Sequence, residues 1–126
     1  MDLKQIEDMI DEHVEMITID ARGLAEARER AGKFLRASAI LTTYLKALEE
    51  QSAKVSTLVE ANYATAVSSA DGKNITEKKT NAALNKSYTS SKEIEGRVNA
   101  QRNWLRGFIK IFENAHLMYR QYSREN

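Results

Sequence analysis

The chain has 126 residues, 42% hydrophobic and 29% charged, with no proline, no cysteine and a net charge of +1. That length suits one domain, the missing cysteines exclude disulfides and thiolate chemistry, and no stretch approaches the roughly 20 apolar residues of a membrane span. With no signal-peptide pattern at its start, the expected protein is soluble, cytoplasmic and free of membrane contacts.

Few glycines, no proline and apolar residues recurring about every 3.5–3.6 positions predict long helices. The small net charge hides an asymmetry. Residues 1–30 carry nine acidic side chains against four basic ones, and the remainder carries 15 basic against nine acidic. An acidic arm followed by a basic body acts on partners through local fields rather than through the sum.

In chain order, residues 1–19 form an acidic N-terminal segment. Leu3, Ile6, Met9, Ile10, Val14 and Ile17 recur there at helical spacing among Asp and Glu. The β-branched run Ile17-Thr18-Ile19 weakens helix propensity, and Asp20 suits the N-cap of a new start. A long helix is predicted over 20–67, about 70 Å if unbroken, with a bend possible near Gly23 and Gly32. Its seam is Leu24, Ala27, Ala31, Phe34, Ser38, Leu41, Leu45, Leu48, Ser52, Val55, Val59, Asn62 and Ala66. Residues 68–75 hold the turn dipeptide Asp71-Gly72, with Asn74 and Glu77 as a capping pair.

A long C-terminal helix is predicted over 76–126, with the seam Leu84, Ser87, Ser91, Ile94, Val98, Gln101, Leu105, Phe108, Phe112, Ala115, Tyr119 and Tyr122. Two seams joined by a short turn define an all-α single domain, a long antiparallel helical hairpin with a short N-terminal helix. Both seams are poor in apolar residues near the turn, with Ser52, Asn62, Ser87 and Ser91 in core positions. The C-terminal helix instead has apolar residues on more than one face, and a two-helix rod cannot cover them all. A homo-oligomer interface is therefore expected at Trp104, Leu105, Phe108, Ile109, Ile111, Phe112, Leu117, Met118 and Tyr119. The alternative is that the acidic helix folds back and completes a monomeric three-helix bundle.

No constellation for catalysis stands out. His13 and His116 fall in different helices without the close His/Asp/Glu spacing of a metal site, and nucleophile elbows and phosphate loops are lacking. The expectation is no enzyme, metal, cofactor or small-molecule substrate. The informative patch flanks the turn: Lys54, Lys73, Lys78, Lys79, Lys86 and Lys92, with Tyr63 and Tyr88 among them. Lysines neutralise phosphates and aromatic rings offer stacking faces, the generic recipe for sequence-independent single-strand binding. Arg97, Arg102 and Arg106 extend the basic row.

This layout resembles the small recombination mediator proteins of tailed bacteriophages, the UvsY type. The likeness rests on the order of features from about Asp20 onward. A long helix carries Leu48 to Tyr63, followed by the polar turn Ser69-Ala70-Asp71-Gly72-Lys73. Thr76-Glu77-Lys78-Lys79-Thr80 comes next, then Leu84, Trp104 and a Phe-rich end from Phe108 to Tyr122. The resemblance implies a non-enzymatic factor of the host-cell cytoplasm. Such a factor binds single-stranded DNA, contacts single-strand binding protein and a RecA-like recombinase, and assembles as a ring through its C-terminal helices. In that family basic residues ahead of the turn contribute to DNA binding. Here Lys54 is followed by Glu60-Ala61-Asn62-Tyr63 rather than a Lys-x-Arg pattern, leaving Lys73, Lys78 and Lys79 to compensate. The competing expectation is a helical interaction adaptor or assembly chaperone without nucleic-acid binding.

Overall fold

A computed structural model describes residues 1–125. Four helices follow one another: α1 (Leu3–Ile17), α2 (Leu24–Ser69), α3 (Ile75–Ala82) and α4 (Lys86–Glu125). There is no strand among the described residues. The chain is all-α, and the two long helices α2 and α4 pack together. Chain contacts group into two compact units, one of residues 1–45 and 104–126, the other of residues 46–103.

The first unit contains α1, the start of α2 and the end of α4. Asp2 opens α1 through a capping box: its side chain accepts from the Gln5 N–H at 2.9 Å, and the Gln5 side chain accepts from the Asp2 N–H at 2.8 Å. Ile6 and Ile10 are the buried residues of α1, while Val14 of the same apolar series stays 37% exposed. The helix ends where the β-branched run was expected to end it, with Thr18 as C-cap.

The start of α2 differs from the sequence expectation. Asp20 does not cap it; the helix begins at Leu24, after Gly23 at φ 137°, a left-handed backbone position that suits glycine. Instead of an N-cap side chain, the Glu26 carboxylate accepts from the Arg22 N–H at 2.9 Å. Gly32 does not interrupt α2.

Within this unit Ala27, Ala31, Phe34, Ala37 and Leu41 of α2 and Leu105, Phe112, Ala115 and Tyr119 of α4 are all buried. Phe34 lies 5.4 Å from Phe112 and 5.7 Å from Tyr119 between ring centroids, and His13 of α1 sits 5.3 Å from Phe34 and 5.5 Å from Phe112. Three helices thus share one aromatic centre, in which each fully buried large side chain contributes about 1.5–3 kcal/mol.

The second unit contains the end of α2, all of α3 and the start of α4. Its core is smaller: Leu48, Val55, Val59, Ala66, Ala82 and Val98, with Ser52 and Ser91 buried among them. The expected helix over 76–126 is corrected here, because α3 stops at Ala82 and α4 starts only at Lys86. Asn85 supplies the reason. Its side chain accepts from the Tyr88 N–H at 3.1 Å and takes the N-terminal position of α4.

Candidate nucleic-acid interface

Every residue of the lysine–tyrosine patch belongs to the second unit. Lys54 stands on the outer side of α2, and Lys73 lies in the turn that Asn74 closes by capping α3. Lys78 and Lys79 are on α3, while Lys86 and Lys92 are on the first turns of α4. All six are exposed except Lys78, which is half-buried. Lys92 is held by Glu95 at 3.3 Å, and Glu95 also accepts from the Ser56 hydroxyl at 3.0 Å. The ammonium groups of Lys54, Lys73, Lys78, Lys79 and Lys86 form no salt bridge among the described residues, although the Lys73 backbone N–H donates to the Glu77 carboxylate at 2.7 Å.

Tyr63 and Tyr88 come together, with ring centroids 5.1 Å apart and planes at 49°, both half-buried. They pack on each other and are not two free-standing platforms. Asn62 donates to the Ser87 carbonyl at 3.4 Å beside them, and the Ser91 hydroxyl donates to the Tyr88 carbonyl at 2.8 Å. The buried seam serines Ser52 and Ser91 thus have hydrogen-bonded hydroxyls, as buried polar groups must, whereas Ser87, expected in the core, is exposed.

Arg102 leaves the expected basic row. Its guanidinium donates to the Ser52 hydroxyl at 3.0 Å and to Asn99 Oδ1 at 3.1 Å, and its Nε is buried without a partner. Ser52 itself donates to Asn99 at 3.2 Å. This side chain ties α2 to α4, and sequence spacing gave no sign of it. Arg97 is exposed.

The residues expected at an oligomer interface divide into two sets. Leu105, Phe112 and Tyr119 are core residues of the first unit, 0%, 0% and 6% exposed, which corrects their assignment to a surface. They are taken up because α1 docks and, with α2, supplies their apolar partners. Phe108 and Ile109 are half-buried. Trp104, Ile111 and Met118 stay 37%, 46% and 51% exposed, and Leu117 56%. Trp104, Ile111 and Met118 stand seven residues apart, one heptad position repeated along the outside of α4.

The strongest polar centre escaped the sequence reading. Arg30, only 6% exposed, donates to the carbonyls of Met16 at 3.2 Å, Ile19, and Asp20 at 3.4 Å. It also donates to the Tyr119 hydroxyl at 3.1 Å and to Glu26 at 3.0 Å, and it stacks over the Tyr119 ring at 5.4 Å. Burial works against its charge, but the Tyr119 hydroxyl and the Glu26 carboxylate outweigh that and hold it above the usual arginine value. Glu26 is in turn held below the usual carboxylate value, first by the Arg22 N–H, which with Arg30 outweighs the opposing effect of burial. One signal was readable: Arg30 lies in line with Phe34, Ala37 and Leu41 at helical spacing, so a cation sits on an apolar stripe.

The His13 Nδ1–H donates to the Met9 carbonyl at 2.7 Å, and the His116 Nδ1–H to the Ala31 carbonyl at 2.8 Å. Both rings are engaged in helix packing. No group of three or more potential metal-binding side chains occurs among the described residues, and no helix there is long and apolar enough to cross a membrane. No protein-family model, curated protein or solved structure matches this chain.

Proposed function

We propose that the chain is a non-enzymatic, oligomeric factor that binds single-stranded DNA and helps a RecA-like recombinase load onto strands covered by single-strand binding protein. The observation that carries the reading is the set of five lysines whose ammonium groups form no salt bridge among the described residues, Lys54, Lys73, Lys78, Lys79 and Lys86, on one unit of the fold. Such cations release counterions when they meet phosphates, and their contribution needs no sequence readout. The likeness of layout to tailed-phage recombination mediators adds the partners, the recombinase and the single-strand binding protein.

Homo-oligomerisation is supported by the heptad stripe of Trp104, Ile111 and Met118. Continued through Gly107, Asn114 and Gln121, it makes a seam of alternating three- and four-residue steps that a second copy can match. Multiplying weak lysine sites around an assembly raises avidity without new contacts.

The test is fluorescence anisotropy of a labelled oligothymidine strand against salt concentration, on a sample whose mass has been set by light scattering. Five neutralised phosphates give a log–log salt slope near −3.5, taking about 0.7 per phosphate on single strands. Expected is an oligomer above the 14.3 kDa monomer that binds with such a slope. Absence of binding at low salt removes the nucleic-acid reading. It leaves the second one, a helical interaction adaptor or assembly chaperone. That reading is favoured by the same exposed stripe, and its contact would be insensitive to salt.

A further inference from the structure

The junction between α3 and α4 is broken where the local sequence favours a continuous helix. No glycine or proline occurs from Lys73 to Glu95, and the two residues entering the break, Ala83 and Leu84, are among the best helix formers. The break is made by two tight turns, the Leu84 N–H to the Asn81 carbonyl at 3.1 Å and the Asn85 N–H to the Ala82 carbonyl at 2.9 Å. Asn85 then caps α4.

Little holds α3 in this bent position. Ala82 is its one buried residue. Ile75 at its start is 58% exposed, and Leu84 at the break is 79% exposed, so neither large apolar side chain anchors it. Asn81 donates to the Asp71 carbonyl, and the remaining space beneath is a cavity of about 430 Å³ lined by Ala66, Ser69, Asp71, Ala82, Leu84 and Asn85. The alternative conformation keeps every α3 hydrogen bond and adds helical bonds across residues 83–88. It exchanges the two turn bonds for helical ones and gives up the cap, the burial of Ala82 and the Asn81–Asp71 bond.

We infer that this junction is a two-state hinge, bent as described here and straight when α3 continues α4 backwards, and that a phosphodiester strand selects the straight form. The ligand half of the inference rests on the nucleic-acid reading; the hinge itself does not. In a continuous helix Lys78, Lys79, Lys86 and Lys92 fall within an arc of about 140° at 3.6 residues per turn. The straight form therefore lays four cations along one side of a single rod, a track for consecutive phosphates. A ligand shifts such an equilibrium by its preference for one state.

The chain has no cysteine, so two introduced ones can carry spin labels without background. The pair Thr76→Cys and Glu93→Cys, both at exposed positions, brackets the hinge. A straight helix separates their backbones by about 26 Å, 17 residues at 1.5 Å each, and any bend shortens that. The expected result in pulsed dipolar spectroscopy is a short distance for the otherwise native chain and a shift toward about 26 Å in Asn85→Ala, which loses the cap and gains helix propensity. Addition of oligothymidine should produce the same shift without that mutation. Leu84→Gly, which disfavours the straight form at a solvent-exposed side chain, should keep the short distance even with oligothymidine bound. An Asn85→Ala distance unchanged from the short one, in a chain of native helix content, overturns the hinge. Bound oligothymidine that leaves the distance short overturns the coupling. Failure of oligothymidine to bind sinks the nucleic-acid reading and with it the ligand half, while Asn85→Ala still decides the hinge.

Discussion

The two compact units draw on the same pair of long helices, yet their interiors differ in kind. The first is centred on Phe34, Phe112 and Tyr119, with His13 and the buried Arg30 joined to them. The second buries valines, alanines and one leucine with Ser52 and Ser91, and no aromatic ring among the described residues; the first also buries a serine, Ser38, but in the unit that holds the aromatic centre. A heptad-like seam therefore does not imply uniform stability along its length. Aromatic rings fill the space between three helices, whereas serine and alanine let helices approach but bury little apolar area. The unit without buried aromatic rings is also the one that carries the lysine patch, and local opening free energies are smallest where apolar contacts are few.

The largest effect that can break this contrast comes from the aromatic centre. Phe112→Ala should cost about 3–5 kcal/mol in urea denaturation, the usual range for a truncated buried phenylalanine. Its partner experiment is Val59→Ala in the second unit, expected at about 1.5 kcal/mol from two methylene equivalents at about 0.8 each. Equal losses for the two would mean that the units share one cooperative core and that the contrast in their interiors has no energetic counterpart. Arg30→Met falls between them, at about 2 kcal/mol: hydrogen bonds to a charged group contribute about 1.5–3 each, and relief of the buried guanidinium's desolvation cost offsets most of their sum. Arg30→Lys should recover little of that, since a single ammonium cannot reach the Met16, Ile19 and Asp20 carbonyls, Tyr119 and Glu26 together.

Much of this architecture is legible in residue spacing. All thirteen positions of the α2 seam, from Leu24 to Ala66, are buried or half-buried, because a stripe at helical period is a direct image of one face. The break at residues 83–85 was not legible. Ala83 and Leu84 favour helix locally, and only the capping geometry of Asn85 reveals the interruption. Nor was the fate of Leu105, Phe112 and Tyr119, since an apolar surplus on α4 can be covered by another copy or by α1 equally well. Ile6 and Ile10 resolve that by docking in the same unit. The six lysines of the patch were readable as a composition bias. Which of them has a partner was not, because the Lys92–Glu95 contact depends on rotamers.

The second unit's surface can be probed without disturbing its core. Replacing Lys73, Lys78 and Lys79 together by alanine should leave stability within about 0.5 kcal/mol, as for most exposed positions. The salt slope of oligonucleotide binding should fall by about 2, three phosphates at about 0.7 each. An unchanged slope would remove those lysines from the interface and shift attention to Lys54 and Lys86.

The smallest expected effect lies in the first unit and is seen only in acid. The Glu26 carboxylate accepts from the Arg22 N–H and from Arg30, so its folded-state pKa lies below the ordinary value of 4.5. A depressed carboxylate pKa means that the unfolded chain takes up this proton first. The stabilisation is complete above pH 4.5 and is lost as pH falls from there through the folded value. Glu26→Gln should therefore lower stability slightly at neutral pH, and its penalty should shrink toward zero as the acid is approached. Glu29→Gln provides the comparison: Glu29 meets Lys33 at 3.3 Å on an exposed face, where such pairs contribute little. Urea midpoints of the native chain and both variants between pH 3 and pH 7, a span of roughly four proton decades, separate the two. A Glu26→Gln penalty that persists unchanged at the acid end would mean that the carboxylate matters through packing rather than charge. The α1–α2 connection would then owe its geometry to Arg30 and the carbonyls alone.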